Sequence, residues 1–191
     1  MPTPQTPAEM EAILLDKLPE RYGKSLSEWM KICESAGLEK KMEYVHYLKQ
    51  QYGIKHGEAF VLTQIYFNEG KPVYGDPEAL LKEQYKTKKD RILYDFVVEK
   101  IVESLNEPIK IGICKGYTSL LGQKQFAVLL PKKRELWIGL ALPQEEVNDL
   151  LKTTKNLGGS DKINRYIPIS KKEDWGRRIS EYVLKSYEYN I

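Results

Sequence analysis

The chain has 191 residues, 30% of them charged and 41% apolar, with 30 Lys and Arg against 27 Asp and Glu for a net charge of +3. That composition suits a globular protein with room for one medium domain or two small ones, not a disordered chain. The longest purely apolar run, Phe126 to Leu130, is too short to span a bilayer, and two histidines exclude a His-rich metal site.

The first ten residues lack the basic start and apolar core of a signal peptide. The two cysteines, Cys33 and Cys114, lie far apart and outside any C-x-x-C pattern, so free thiols, a reducing compartment and a cytoplasmic location are expected. Charge is uneven. Residues 1–70 hold 8 Lys and Arg and 10 Asp and Glu, whereas residues 71–191 hold 22 and 17, which makes the second part the more suited to anions.

Four short helices are expected over residues 8–67. The first sets Met10, Ile13, Leu14 and Leu18 inward. Ser25 and Glu28 form a capping box that opens the second, which buries Leu26, Trp29, Ile32 and Cys33 or Ala36 and stops at Gly37. The third buries Met42, Val45, Leu48 and Tyr52 and stops at Gly53. The fourth, from His56, presents Ala59, Phe60, Leu62, Thr63 and Tyr66. Together they make a small bundle, with His46 and His56 half-buried in it.

Residues 68–84 read as a Gly- and Pro-rich linker followed by a short helix beginning at Pro77. An α+β domain is expected over 85–191. Its first helix carries a stripe of Leu93, Val97, Ile101 and Leu105. After Pro108 the period becomes two, with Ile109, Ile111 and Ile113 on one face. FAVLL and LWIGLAL read as central strands, and INRYIPI as an edge strand because of Pro168. A short helix near 144–152 and a terminal helix over 171–187 complete an antiparallel sheet with its helices on one face.

The segment from Gly23 to Phe60, with its GKSLSEW start and its YLKQQYGIKHG stop, resembles a small helical module of unknown function. The segment from Tyr117 to Leu142 resembles an uncharacterised α+β domain often joined to that module, relatives of which are sometimes labelled "predicted transport protein". The resemblance implies a two-domain prokaryotic family and no known chemistry. Where that family often has a T-H-R start to the last strand, this chain has Asn164-Arg165-Tyr166, so no role for that histidine carries over. A more distant likeness is to frataxin-like helix–sheet–helix folds.

No G-x-S-x-G, phosphate loop or paired-carboxylate pattern is present, and neither Ser119 nor Cys114 has a histidine nearby in sequence. The expectation is a binding protein without cofactor rather than an enzyme. The candidate anion site gathers Lys115, Tyr117, Thr118, Ser119 and Lys124 from a polar loop, Lys132, Lys133 and Arg134 from a turn, and Arg165 from the last strand. Trp137 or Tyr117 would add base stacking, with nucleic acid or another phosphate-bearing ligand as partner. The bland reading of the same residues is a sheet edge kept soluble by charge.

Two alternatives stand beside it. A protein partner would bind exposed apolar residues of the helical module. Its third and fourth helices also approximate a helix-turn-helix that would present Lys55, His56, Glu58 and Gln64, although that half is acidic. A frataxin-like metal handler would use the ridge Asp95, Glu99 and Glu103.

Overall fold

A computed structural model describes residues 5–105 and 107–191. The chain divides into a helical unit, Pro7–Asp76, and a second unit containing Pro77–Ile191. The architecture is α+β: four N-terminal helices, then an antiparallel six-stranded sheet with helices.

The helical unit comprises α1 (Pro7–Tyr22), α2 (Leu26–Ala36), α3 (Lys41–Tyr52) and α4 (His56–Tyr66). The capping box forms: Ser25 Oγ accepts from the Glu28 N–H, and the Glu28 carboxylate accepts from the Ser25 N–H. Gly37 and Gly53 end α2 and α3 in the left-handed region, at φ 57° and 66°. Trp29, Cys33, Tyr44, Val45, Leu48 and Leu62 build the core, where Tyr22 and Tyr52 both meet Trp29 edge-on.

Several expected inward positions point to water instead: Met10, Ile13, Met42 and Phe60 are exposed, as are His46 and His56. Polar residues took their places. Glu11 is buried on α1 because its carboxylate accepts from the Val73 and Tyr74 N–H groups, at 2.9 and 2.7 Å. Glu58 is buried on α4 because Arg21 and Tyr22 donate to it. A buried carboxylate is tolerated only with such donors, and each one rotates its helix away from the phase that apolar spacing alone suggests.

The second unit opens with α5 (Pro77–Gln84) and α6 (Lys88–Glu103) and closes with α7 (Arg177–Tyr189). The strands are β1 (Lys110–Ile113), β2 (Thr118–Leu121), β3 (Gln125–Lys132), β4 (Glu135–Leu140), β5 (Lys152–Thr153) and β6 (Arg165–Ile169), in the order β1-β2-β3-β4-β6-β5. One face buries Leu120, Leu129, Ile138, Leu140 and Ile167 against Leu93, Val97 and Ile101 of α6 and Ile179 and Val183 of α7. Leu105 of the expected stripe is also buried. On α7, Ser186 Oγ donates to the Phe126 carbonyl and accepts from the Ala141 N–H, fixing the helix to the sheet.

The opposite face carries Val128, Trp137 and Tyr166 and is packed by Leu157 and Ile163 from the 154–163 loop. β6 is not the edge expected from Pro168, since β5 pairs outside it at Arg165 and Tyr166; Pro168 is tolerated because it lies beyond that two-residue pairing, where its outer side carries no strand.

Three local expectations fail for identifiable reasons. No helix forms over 144–152, because the Asn148 side chain accepts from the Leu150 and Leu151 N–H groups and turns the chain. Ile111 is exposed on edge strand β1. The terminal helix starts late: Asp174 caps the Ser170 and Lys171 N–H groups in a single 3-10 turn before α7 begins at Arg177.

Candidate anion-binding groove

The expected site residues do not form one cluster. The Cys114 N–H donates to the Tyr117 carbonyl, which closes a tight turn and starts β2 at Thr118. Thr118 and Ser119 therefore lie in a strand and are buried, not on an open loop. Thr118 Oγ1 donates to the Tyr94 hydroxyl, and Ser119 Oγ accepts from Gln125. Neither is offered to a ligand.

Strand register separates the cations. Lys132 pairs with Glu135 at one end of the β3–β4 ladder, whereas Arg165 pairs with Leu140 at the other end of β4, roughly 17 Å away at about 3.4 Å per residue. Arg165 is also occupied, donating to the Glu145 and Asn164 carbonyls. Lys124 precedes β3 and so lies at that far end too. Lys115, on the β1–β2 turn, falls at the same end as Lys132, Lys133 and Arg134.

The aromatic candidates are taken. Trp137 stacks on Tyr166 with ring centroids 4.0 Å apart, and Lys132 Nζ lies over the indole at 4.6 Å. Its Nε1 donates to Glu135. Tyr117 packs into the small core under the 154–163 loop. Base stacking on either ring would require displacing these contacts.

What the fold does build is a groove of about 380 Å³ between the basic turn and the start of α6. Lys89, Lys132, Lys133 and Arg134 line it, with Asp90 and Glu135 as its acids. Both acids have internal donors: the Thr87 hydroxyl binds Asp90, and the Trp137 indole binds Glu135. Among the described residues no ion pair holds Lys89, Lys133 or Arg134.

Thr87 caps α6 by accepting from the Asp90 N–H, so Lys88 and Lys89 fall in the first helical turn. The positive end of a helix disfavours cations there. The groove therefore sets four basic groups against two acids that already accept internal hydrogen bonds, an excess of positive charge.

Gln84 and Tyr85 also line the groove, and sequence reading missed both. The Gln84 amide nitrogen donates to the Cys114 carbonyl at 2.7 Å, which ties α5 to the turn carrying Lys115. Its Oε1 is buried without a partner, and so is the Tyr85 hydroxyl. Burial pushes the Tyr85 phenol well above its ordinary pKa, so it stays protonated, a neutral donor.

The acidic ridge is already paired. Asp95 accepts from Arg91 at 2.9 Å and Glu103 from Lys100 at 2.6 Å, while Glu99 is exposed. Among the described residues no three His, Cys, Asp or Glu side chains are grouped to hold a metal ion. Glu58 cannot serve a DNA-reading helix either, since it is buried under Arg21 and Tyr22. Among the described residues no helix is long and apolar enough to cross a membrane.

Comparison with known proteins places one segment. Residues 11–66 match a domain of unknown function, DUF4287. The DUF4287 segment spans α1 to α4 and so coincides with most of the helical unit. It contains the Ser25–Glu28 cap and the Gly37 and Gly53 stops, and its family is uncharacterised. No curated protein and no solved structure matches the chain.

Proposed function

We propose that the second unit is a non-catalytic binding domain for phosphate-bearing anions, nucleic acid among them, and that the basic groove is its site. The observation that carries this reading is the placing of Lys89, in the first turn of α6, beside Lys132, Lys133 and Arg134. Local helix electrostatics argue against lysines there, and a bound anion would reverse the penalty. On this reading the chain belongs to the two-domain family its motifs resemble, with the α+β unit as the binding half. Two buried free cysteines fit a reducing cytoplasm.

The test is fluorescence anisotropy with short single- and double-stranded DNA and RNA across a salt series, with Lys132→Glu/Lys133→Glu/Arg134→Glu alongside. Binding should weaken steeply with salt, and the triple variant should lose at least tenfold in affinity. If the variant binds as the parent does, the site is not at this turn.

A second reading is a protein partner at the helical unit. It is favoured by the exposure of Met10 (51%), Met42 (46%), Phe60 (40%) and Phe67 (43%). A partner retained at high salt, and lost with Met42→Ser/Phe60→Ser, would establish it.

A further inference from the structure

The groove holds more than cations, and its polar atoms narrow what it takes. Gln84 Oε1 can only accept a hydrogen bond, and one of the two hydrogens on its amide nitrogen goes to the Cys114 carbonyl. The Tyr85 hydroxyl, on a side chain that is 5% exposed, can donate or accept. The Thr118 hydroxyl lies beside it and donates to Tyr94 at 3.3 Å. Buried polar atoms are nearly always paired, so two orphans in adjacent residues beside one groove call for an explanation.

A phosphate dianion can accept from Tyr85 and from the lysines, but it has no hydrogen to give Gln84. The missing partner is a donor. We infer that the groove binds a hydroxylated phosphomonoester, its phosphate on Lys89 and the Lys132–Arg134 turn and a neighbouring hydroxyl on Gln84 Oε1. This deepens the phosphate-binding reading and rests on it. Sugar phosphates and the 5′-phosphorylated end of a nucleic acid strand share that chemistry. The groove volume is in the range of small-ligand sites. Both orphan atoms are buried from solvent, so binding includes a small shift of the Gln84 and Tyr85 side chains.

The experiment is isothermal titration calorimetry of the full chain at pH 8, where phosphomonoesters are dianions. The probes are inorganic phosphate, ribose 5-phosphate and a 5′-phosphorylated single-stranded oligonucleotide. Ribose 5-phosphate should bind about tenfold tighter than inorganic phosphate, the worth of one satisfied buried hydrogen bond. Gln84→Met should weaken ribose 5-phosphate about tenfold more than inorganic phosphate, so that the two bind alike. Tyr85→Phe should weaken both probes without lowering the melting temperature, so lost binding there is not lost folding.

Equal affinity for phosphate and ribose 5-phosphate in the parent overturns the inference, as does full retention of the preference in Gln84→Met. Either result leaves the phosphate-binding reading standing if the Lys132→Glu/Lys133→Glu/Arg134→Glu variant still loses phosphate. If the parent binds none of the three probes, both fall. Tighter binding of the oligonucleotide than of ribose 5-phosphate assigns the monoester to a strand end, and the reverse to a free sugar phosphate; both sustain the inference.

Discussion

In the second unit single atoms decide what a side chain can do. An unpaired buried hydroxyl costs roughly 1–3 kcal/mol, so deleting the Tyr85 oxygen should cost the fold nothing. A residue kept at a stability cost beside a groove reads as one retained for binding. The cysteines show the opposite pattern, of groups put out of use. Burial pushes the Cys33 thiol up to about 11, and Cys114 is raised by the same cause. At pH 8 roughly one Cys33 in a thousand is then thiolate, and sterics hide that fraction as well. Ellman's reagent at pH 8 should find almost no thiol in the native chain within minutes, and both once guanidinium unfolds it. Raising the pH towards 11 should speed the native reaction, and a fast reaction at pH 8 would show that the thiols are reachable.

Elements were legible where one force dominated. The Leu93–Val97–Ile101–Leu105 stripe, the Ser25 cap and the Gly37 and Gly53 stops follow from apolar spacing and backbone sterics, and each is where the sequence puts it. The phases of α1 and α4 were not legible. They depend on Glu11 and Glu58 finding donors distant in sequence, which no periodicity encodes. The 148–151 turn was hidden likewise, because a side-chain acceptor replaced helical bonds.

The 154–163 loop supplies an element-scale test. A Cβ on Gly139 would stand 2.5 Å from Leu157 Cδ2 and 2.7 Å from both Ile163 Cγ2 and Val128 Cγ2. Gly139→Ala should therefore lift the loop off the sheet and cost about 1–3 kcal/mol in urea unfolding. An unchanged midpoint would mean that the loop yields freely.

For the molecule as a whole, the charge asymmetry was readable but the site was not. The sequence places 22 Lys and Arg in residues 71–191, and only strand register shows that Lys124 and Arg165 lie at the end of the sheet away from Lys132. Lys89, Gln84 and Tyr85 enter the groove through α5 and α6, remote in sequence from the turn. The KTKKD run at 86–90 was the available clue, since lysines at a helix start break a local rule. Net charge and local site can be separated directly. Reversing Lys152, Lys155 and Lys162 to Glu changes the total charge as much as reversing the turn does. That variant should keep phosphate affinity within about twofold at 150 mM salt, where the Debye length is about 8 Å. A loss equal to that of the turn variant would mean a diffuse field, not a groove.

The layering of Lys132, Trp137 and Tyr166 also gives the turn an optical signal. An ammonium group over an indole shifts and quenches its emission, and Lys132 belongs to the wall that a ligand would meet. Trp29, 1% exposed in the core of the other unit, and the half-buried Trp175 supply the rest of the emission. An anion that draws Lys132 off the ring would brighten the spectrum of the unlabelled chain, so occupancy of the groove can be followed by eye of the fluorimeter alone.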